Sequence, residues 1–212
     1  MLAETVDLRI LGAMENLWAR ILQVRDFARQ FTFFQSILLP IEYGDVLSGK
    51  AKGIVPRISR QEFDSQTVNL VAQIEAIRPL VGETIWSLFG LYTAFSIRQA
   101  LKVQDGLDKG KLYEWNKDFH GEPDSYMQRM IRSIFTEEEL SQIHADKSLG
   151  ATTAIMTAIE IRILNEMNKW IFEREFHSPD IKQQQVIQNL LNVMGDLNVG
   201  GDIVGRDKTI SG

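Results

Sequence analysis

Cysteine is absent from this 212-residue chain, and histidine occurs only three times. Without cysteine there can be no disulfide framework, no thiolate nucleophile and no Cys-ligated zinc. The absence also fits a reducing compartment, so we expect a cytoplasmic protein. The residues three positions before the histidines are Lys117, Ser141 and Arg174, which excludes the Glu-x-x-His pattern of carboxylate-bridged di-metal bundles. We therefore predict neither a metal site nor a cofactor.

Long hydrophobic runs, excess basic charge and enzyme signatures are missing too. The uncharged runs at 31–41 and 84–97 both fall short of the ~20 residues that a membrane-spanning helix needs. The start, MLAETVDLR, lacks the basic and apolar regions of a secretory signal. A formal charge of −5 gives no general attraction to nucleic acid or anionic lipid. H-E-x-x-H, G-x-S-x-G and P-loop patterns do not occur. We predict a soluble, non-enzymatic protein with no nucleic-acid partner and no membrane partner.

The spacing of apolar residues predicts an all-α protein. Apolar side chains recur every three to four residues over 5–39, 60–77 and 149–176, which is typical of amphipathic helices. Residues 82–103 are apolar on nearly every face, so they predict a central helix that the other three cover. We expect a bundle of about four long helices with additional short helices, such as 124–134.

Local signals predict where several helices begin and end. Ser59 and Thr136 are each followed three residues later by a glutamate, the spacing of a capping box. Pro40 is expected to end the first helix, and Asp105-Gly106 the central one. Charges become sparse along the first helix, so its final run, FTFFQSILL, is expected to be buried more deeply than its start.

Two charged groups leave alternatives open. The loop at 48–58 and the start of the next helix carry four basic residues with no acidic residue among them: Lys50, Lys52, Arg57 and Arg60. This local positive charge suits either an anion contact or a solvated loop. Glu160, Arg162 and Glu166 lie on or near the apolar part of the last long helix. They form either an inward Glu–Arg pair or, as the simpler interpretation, a solvated face. A lone surface histidine is likewise the simpler interpretation of His144.

The C-terminal residues differ in composition from the rest of the chain. We predict a helical bundle domain over 1–178, an amphipathic helix over 179–194 and a Gly/Asp-rich repeat tail over 195–212. The tail divides into three short units that run from aspartate through apolar residues to glycine, a pattern of β-turns joined by very short strands. Three such units cannot bury a core alone, so the tail is either flexible or ordered by pairing with other copies or a partner.

Two resemblances follow from these motifs. The tail, GDLNVGGDIVGRDK, is similar to Gly-Asp segments of bacterial signalling and conflict-system proteins. The helical body, through ENLWARILQVRDF, FFQSILLPIEY, IRPLVGETIWSLFGLY and FTEEELSQI, resembles an uncharacterised helical family of bacteria that is common in cyanobacteria. The resemblance implies a bacterial helical protein and brings no catalytic residue.

We expect a homo-oligomer or a complex with a protein partner, acting as an adaptor or sensor in a bacterial signalling or defence system and not as an enzyme. The apolar side chains of the C-terminal helix and tail are the predicted interaction residues: Ile181, Ile187, Leu190, Leu191, Met194, Leu197, Val199, Ile203, Val204 and Ile210. Two alternatives remain. One is a small-molecule or lipid-binding bundle with a cavity lined by Trp86, Phe89, Tyr92 and Phe95. The other is a membrane-active effector that exposes its two apolar helices.

Overall fold

The computed structural model describes residues 2–51, 53–72, 74–112, 129, 131–145 and 150–175. The α-helices with bounds among these residues are α1 (Leu2–Thr32), α2 (Tyr43–Leu47), α3 (Arg60–Val71), α4 (Arg78–Val81), α5 (Glu83–Asp108), α6 (Glu137–Ala145) and α7 (Ala151–Glu175). Arg129, Ile131 and Arg132 are helical as well. Short 3₁₀ helices lie at Phe33–Ser36, Pro40–Glu42 and Glu75–Ile77. Within these ranges there is no β-strand, so the predicted all-α fold is confirmed.

The chain divides into two compact units, Met1–Met167 and Asn168–Gly212. The contacts discussed below all belong to the first unit. The described part of the second unit consists of the last two turns of α7. The predicted boundaries at 178 and 194, the amphipathic helix and the tail lie outside the described residues.

Helix α5 is the helix that its apolar composition predicts to be central. It packs most extensively along α1 and also contacts α4. Its buried residues lie on most of its circumference, among them Leu88, Leu91, Tyr92, Phe95 and Val103. Gly82 joins α4 to α5 with a φ of 79°, a conformation that residues with a side chain rarely adopt. This glycine is the single residue between the end of α4 and the start of α5.

Aromatic side chains from α1 and α3 form the centre of one core cluster. The ring centroids of Phe27, Phe31 and Phe63 are each 5.3 Å apart, in tilted or edge-to-face arrangements. Phe34 packs edge-to-face on Tyr43 at 5.0 Å. Such pairs add ~0.5–1.5 kcal/mol to the free energy that comes from burying their area. The cluster fixes α3 and the 33–47 region against α1.

Three helix boundaries differ from prediction. Helix α1 ends at Thr32, not at 39, and a 3₁₀ turn follows. Helix α3, predicted over 60–77, ends at Val71. Val68 and Val71 are exposed, whereas Leu70 packs against the core cluster and Ile74, just beyond the helix, is buried. Helix α5 continues through the predicted stop and ends at Asp108.

Both predicted N-caps are present. The Ser59 hydroxyl accepts a hydrogen bond from the Glu62 backbone N–H at 3.1 Å, at the start of α3. At the start of α6, the Thr136 hydroxyl accepts from the Glu139 N–H at 3.2 Å, and a Glu139 carboxylate oxygen accepts from the Thr136 N–H at 2.7 Å. The second site is a complete capping box, since both halves of the exchange are made.

Alanine at Gly106 and at Gly90 should have opposite effects on stability. A Cβ at Gly106 would lie 2.8 Å from the Lys111 carbonyl oxygen, because the chain folds back onto α5 at this point. A Cβ at Gly90 would meet nothing within 4 Å. We expect Gly106→Ala to destabilise the protein by ~1–3 kcal/mol through overpacking. Gly90→Ala should stabilise it by ~0.5–1 kcal/mol through a better helix propensity. Urea unfolding of the two variants measures both effects, and equal effects would contradict the close approach at Gly106.

Candidate functional site

A buried polar network joins α1, α5 and α7. The Tyr92 hydroxyl donates to Glu160 Oε1 at 2.5 Å, and Arg25 Nη1 lies 3.8 Å from Glu160 Oε2. Tyr92 is fully buried and Glu160 is 8% exposed. Arg25 Nε is buried without a hydrogen-bond partner among the described residues, although it lies 3.7 Å from Asp26 Oδ1. The carboxylate of Glu160 on α7 therefore contacts side chains of both α1 and α5.

Burial raises the pKa of both titratable groups at the centre of this network. For Glu160, desolvation is the main cause, and it outweighs the hydrogen bond from Tyr92 and the charge of Arg25, which both lower the pKa. For Tyr92, desolvation is again the main cause, followed by the charge of Glu160. The phenol therefore stays protonated and acts as a permanent donor to the carboxylate.

The buried position of Tyr92 and Glu160 determines what this network can do. The reacting atoms of a substrate cannot reach a fully buried phenol and a nearly buried carboxylate, so the arrangement supports helix packing and not catalysis. The predicted solvated face on α7 is wrong for Glu160, which pairs inward with residues of two other helices. Arg162 does not pair with Glu160: it binds both carboxylate oxygens of Glu139, at 2.7 and 2.8 Å, and lies over the Phe135 ring.

The raised pKa of Glu160 predicts a specific pH dependence of stability. The folded protein holds this proton more tightly than the unfolded chain, whose carboxyl has an ordinary pKa of 4.5. The stabilising effect of protonation is complete below that pH and is lost as pH rises through the folded pKa. The unfolding free energy of the wild type relative to Glu160→Gln should therefore fall by the order of 1 kcal/mol with rising pH. Denaturant unfolding across the acidic range measures this, and a constant difference would contradict it.

A second feature is an exposed apolar segment, residues 33–41, which follows α1. Four of its side chains face solvent: Phe33 (42% exposed), Ile37 (46%), Leu39 (47%) and Ile41 (88%). The predicted burial of FTFFQSILL holds for four of its nine residues, Phe31, Thr32, Phe34 and Gln35, whereas Phe33, Ile37 and Leu39 are exposed. Helix α1 ends at Thr32, and the 3₁₀ turn over Phe33–Ser36 that follows it buries Phe34 and Gln35 while Phe33 faces solvent.

The backbone of the apolar segment is held in place by hydrogen bonds to the start of α7. The Gly150 N–H donates to the Gln35 carbonyl at 3.1 Å, and the Thr152 hydroxyl donates to the Gln35 side-chain oxygen at 3.0 Å. The hydroxyls of Ser36 and Thr153 are 3.2 Å apart. Further along the segment, the Leu39 N–H donates to a Glu42 carboxylate oxygen at 2.7 Å. The four exposed side chains are therefore presented by a fixed backbone.

A third feature is an open pocket of about 820 Å³ beside the apolar segment. The C-terminal half of α1 forms one wall, and the chain from α2 to the loop before α3 forms another. The residues that line the pocket are Asp26, Arg29, Gln30, Phe33, Val46, Gly49, Ala51, Gly53, Ile54, Val55, Pro56, Arg57 and Leu107. Phe33 belongs both to the pocket and to the apolar segment, so the two features are continuous.

Most of the described basic residues near the 48–58 loop have partners within the chain. Lys50 lies 3.6 Å from Asp45, and Arg60 bridges Asp64 and Asp105. Arg57 differs, because its Nη2 donates to the backbone carbonyls of Val46 and Leu47, at 3.5 and 3.3 Å, and not to a carboxylate. Of Lys50, Arg57 and Arg60, only Arg57 is therefore left without a carboxylate partner among the described residues, so the predicted anion contact could involve Arg57 but not the other two.

The four aromatic residues of the predicted ligand cavity do not line this pocket. Phe89, Tyr92 and Phe95 are buried in the core, and the Tyr92 hydroxyl is bound by Glu160. Trp86 is half-buried, with its ring 5.6 Å from that of Phe89 and under the guanidinium of Arg78. The open pocket instead lies between the C-terminal half of α1 and the chain from α2 to Arg57, which includes the loop predicted either to contact an anion or to be solvated.

The ten predicted interaction residues, from Ile181 to Ile210, all lie outside the described residues. Across the part of the chain that is described, no group of three or more histidine, aspartate or glutamate side chains is placed to hold a metal ion. None of the helices in that part is both long enough and apolar enough to cross a membrane.

Comparisons with protein-family models, with functionally curated proteins and with solved structures found no match to this chain. The resemblances suggested by the sequence motifs therefore stay predictions, and function has to be argued from the surfaces themselves.

Proposed function

We propose that this protein is a non-enzymatic interaction module that self-associates, with the apolar segment as a contact surface. The observation that carries the proposal is the cluster of four exposed apolar side chains within nine residues, ending in Ile41 at 88% exposure. Single exposed apolar residues are normal on a protein surface, whereas clusters of them mark contact sites.

The rigidity of the segment supports a binding role. Hydrogen bonds from Gly150 and Thr152 to Gln35 hold its backbone against α7, so little conformational freedom is lost when a partner binds. Preorganisation of this kind increases affinity without adding contacts. A surface loop without such a role would not need its apolar side chains to be held outward.

The charge of the segment favours a second copy of the chain as the partner. Residues 31–41 carry no charge, so the surface can meet its own copy across a two-fold axis without bringing like charges together. The nearest carboxylate in sequence, that of Glu42, is bound to the Leu39 N–H. The apolar residues predicted at Ile181 to Ile210 would add a second contact surface, and the tail's resemblance suggests a bacterial signalling or defence system as the setting.

The experiment compares the mass of the full chain with that of a 1–178 truncation by light scattering. We expect the full chain to be oligomeric. A truncation that stays associated would assign the main contact to the apolar segment, and a smaller oligomer would show that the C-terminal residues add to it. Identical monomeric masses for both proteins would overturn the proposal.

A further inference from the structure

The pocket beside the apolar segment combines an apolar wall with two guanidinium groups. Its volume of about 820 Å³ lies within the ~300–1,000 Å³ typical of small-molecule sites. Seven of its lining residues are apolar: Phe33, Val46, Ala51, Ile54, Val55, Pro56 and Leu107. Arg29 and Arg57 supply the positive charge. A site of this composition suits a ligand with an apolar body and one anionic end.

The two arginines are positioned by contacts that leave their charge uncompensated. The guanidinium carbon of Arg29 lies 5.7 Å from the centroid of the Phe33 ring, and within the described residues it has no ion pair. Arg57 is held through its Nη2 alone, by the carbonyls at the end of α2, so its Nε and Nη1 have no partner in the described part of the chain. Asp26 is the one carboxylate on the lining, and it lies 3.7 Å from Arg25.

From this arrangement the geometry points to a binding site for an elongated apolar carboxylate, the chemistry of a free fatty acid. The carboxylate would be bound by Arg29 and Arg57, since a guanidinium matches the geometry of a carboxylate and stays charged at any physiological pH. The alkyl chain would lie against the apolar lining. A polyphosphate ligand is disfavoured because most of the lining is apolar and would leave its remaining charges without partners.

The test is isothermal titration calorimetry of the full chain with three probes of equal chain length: decanoate, decanol and decyltrimethylammonium, all below micelle-forming concentrations. We expect decanoate to bind more tightly than the other two. Arg29→Gln and Arg57→Gln should each weaken decanoate binding by roughly 5- to 20-fold and leave decanol binding unchanged. Arg9→Gln, which changes an exposed arginine of α1 outside the pocket, should bind all three probes like the wild type.

A pocket-filling variant, Ile54→Trp, should reduce the binding of decanoate and decanol alike, with circular dichroism to confirm that the helices are retained. The arginine variants keep the test decisive if this one does not fold, because both side chains are exposed. The inference is overturned by any of three results: no binding of decanoate, equal binding of the three probes, or equal decanoate affinity in the wild type and the Arg29→Gln/Arg57→Gln double variant. None of these results bears on self-association, which the mass measurement tests separately.

Discussion

Replacing Tyr92 by phenylalanine should destabilise the protein by about 2–3 kcal/mol, although the change removes a single oxygen atom. Among the described residues, the hydroxyl of Tyr92 is the one hydrogen-bond donor to Glu160 Oε1, at 2.5 Å, and the charged partner, Arg25, lies 3.8 Å from Oε2. Without the hydroxyl, a buried carboxylate loses its hydrogen bond and keeps its desolvation cost. Denaturant unfolding near neutral pH measures the loss.

A double-mutant cycle distinguishes this account from a simple packing defect. In Tyr92→Phe/Glu160→Gln the carboxylate is gone as well, so the double variant should be less destabilised than the sum of the single variants by about 0.5–3 kcal/mol. The Tyr92 hydrogen bond lowers the pKa of Glu160, so its loss in Tyr92→Phe should raise that pKa further. The unfolding free energy of Tyr92→Phe should therefore decrease more with rising pH than that of the wild type. Additive effects in the cycle would mean that the two groups do not interact in the folded protein.

Glutamate at Ile37 and Ile41 should weaken self-association by 100-fold or more and leave the monomer folded. At a two-fold interface each substitution places a like charge near its own copy and leaves it desolvated, which costs on the order of 3 kcal/mol or more. Both side chains are exposed in the single chain, at 46% and 88%, so the effect on unfolding should be small. Sedimentation velocity across a concentration series measures the shift in the dissociation constant.

Leu8→Glu provides the matched control for this prediction. Leu8 is also an exposed apolar residue, at 62%, but 24 residues of α1 separate it from Thr32, about 36 Å along the helix axis. We expect this variant to associate like the wild type. A loss of association in Leu8→Glu equal to that in the Ile37/Ile41 variant would show that added negative charge alone, and not the apolar segment, controls assembly.

The spacing of apolar residues in the sequence was sufficient to predict the all-α fold class. The apolar composition of α5 also predicted extensive burial, and its buried residues do lie on most of its circumference. The helix caps at Ser59 and Thr136 were also predictable, because capping depends on two residues that are only three positions apart in the sequence. Helix ends were less predictable: α1 stops at Thr32, and the turn that follows it contacts Tyr43 through Phe34 and the distant Thr152 through Gln35, contacts that no pattern within α1 encodes.

The candidate sites required the structure because each depends on contacts between distant residues. Arg25 on an apolar stripe, Tyr92 in an uncharged run and Glu160 on an apolar face were all visible signals, but only packing shows that they meet. The exposure of Phe33, Ile37 and Leu39 could not be predicted, because the apolar run that contains them was expected to continue α1 as a buried helix. Arg57 belonged to a basic loop whose other described charges, such as Lys50, turned out to be paired.

The most direct test of the central claim is sedimentation equilibrium of the full-length wild-type protein across the micromolar range. The account predicts a weight-average mass that rises with concentration above the 24.2 kDa of a single chain. It also predicts that the Ile37→Glu/Ile41→Glu variant shows this rise only at much higher concentrations. A wild-type mass of 24.2 kDa at every concentration would contradict the proposal that this protein works by self-association.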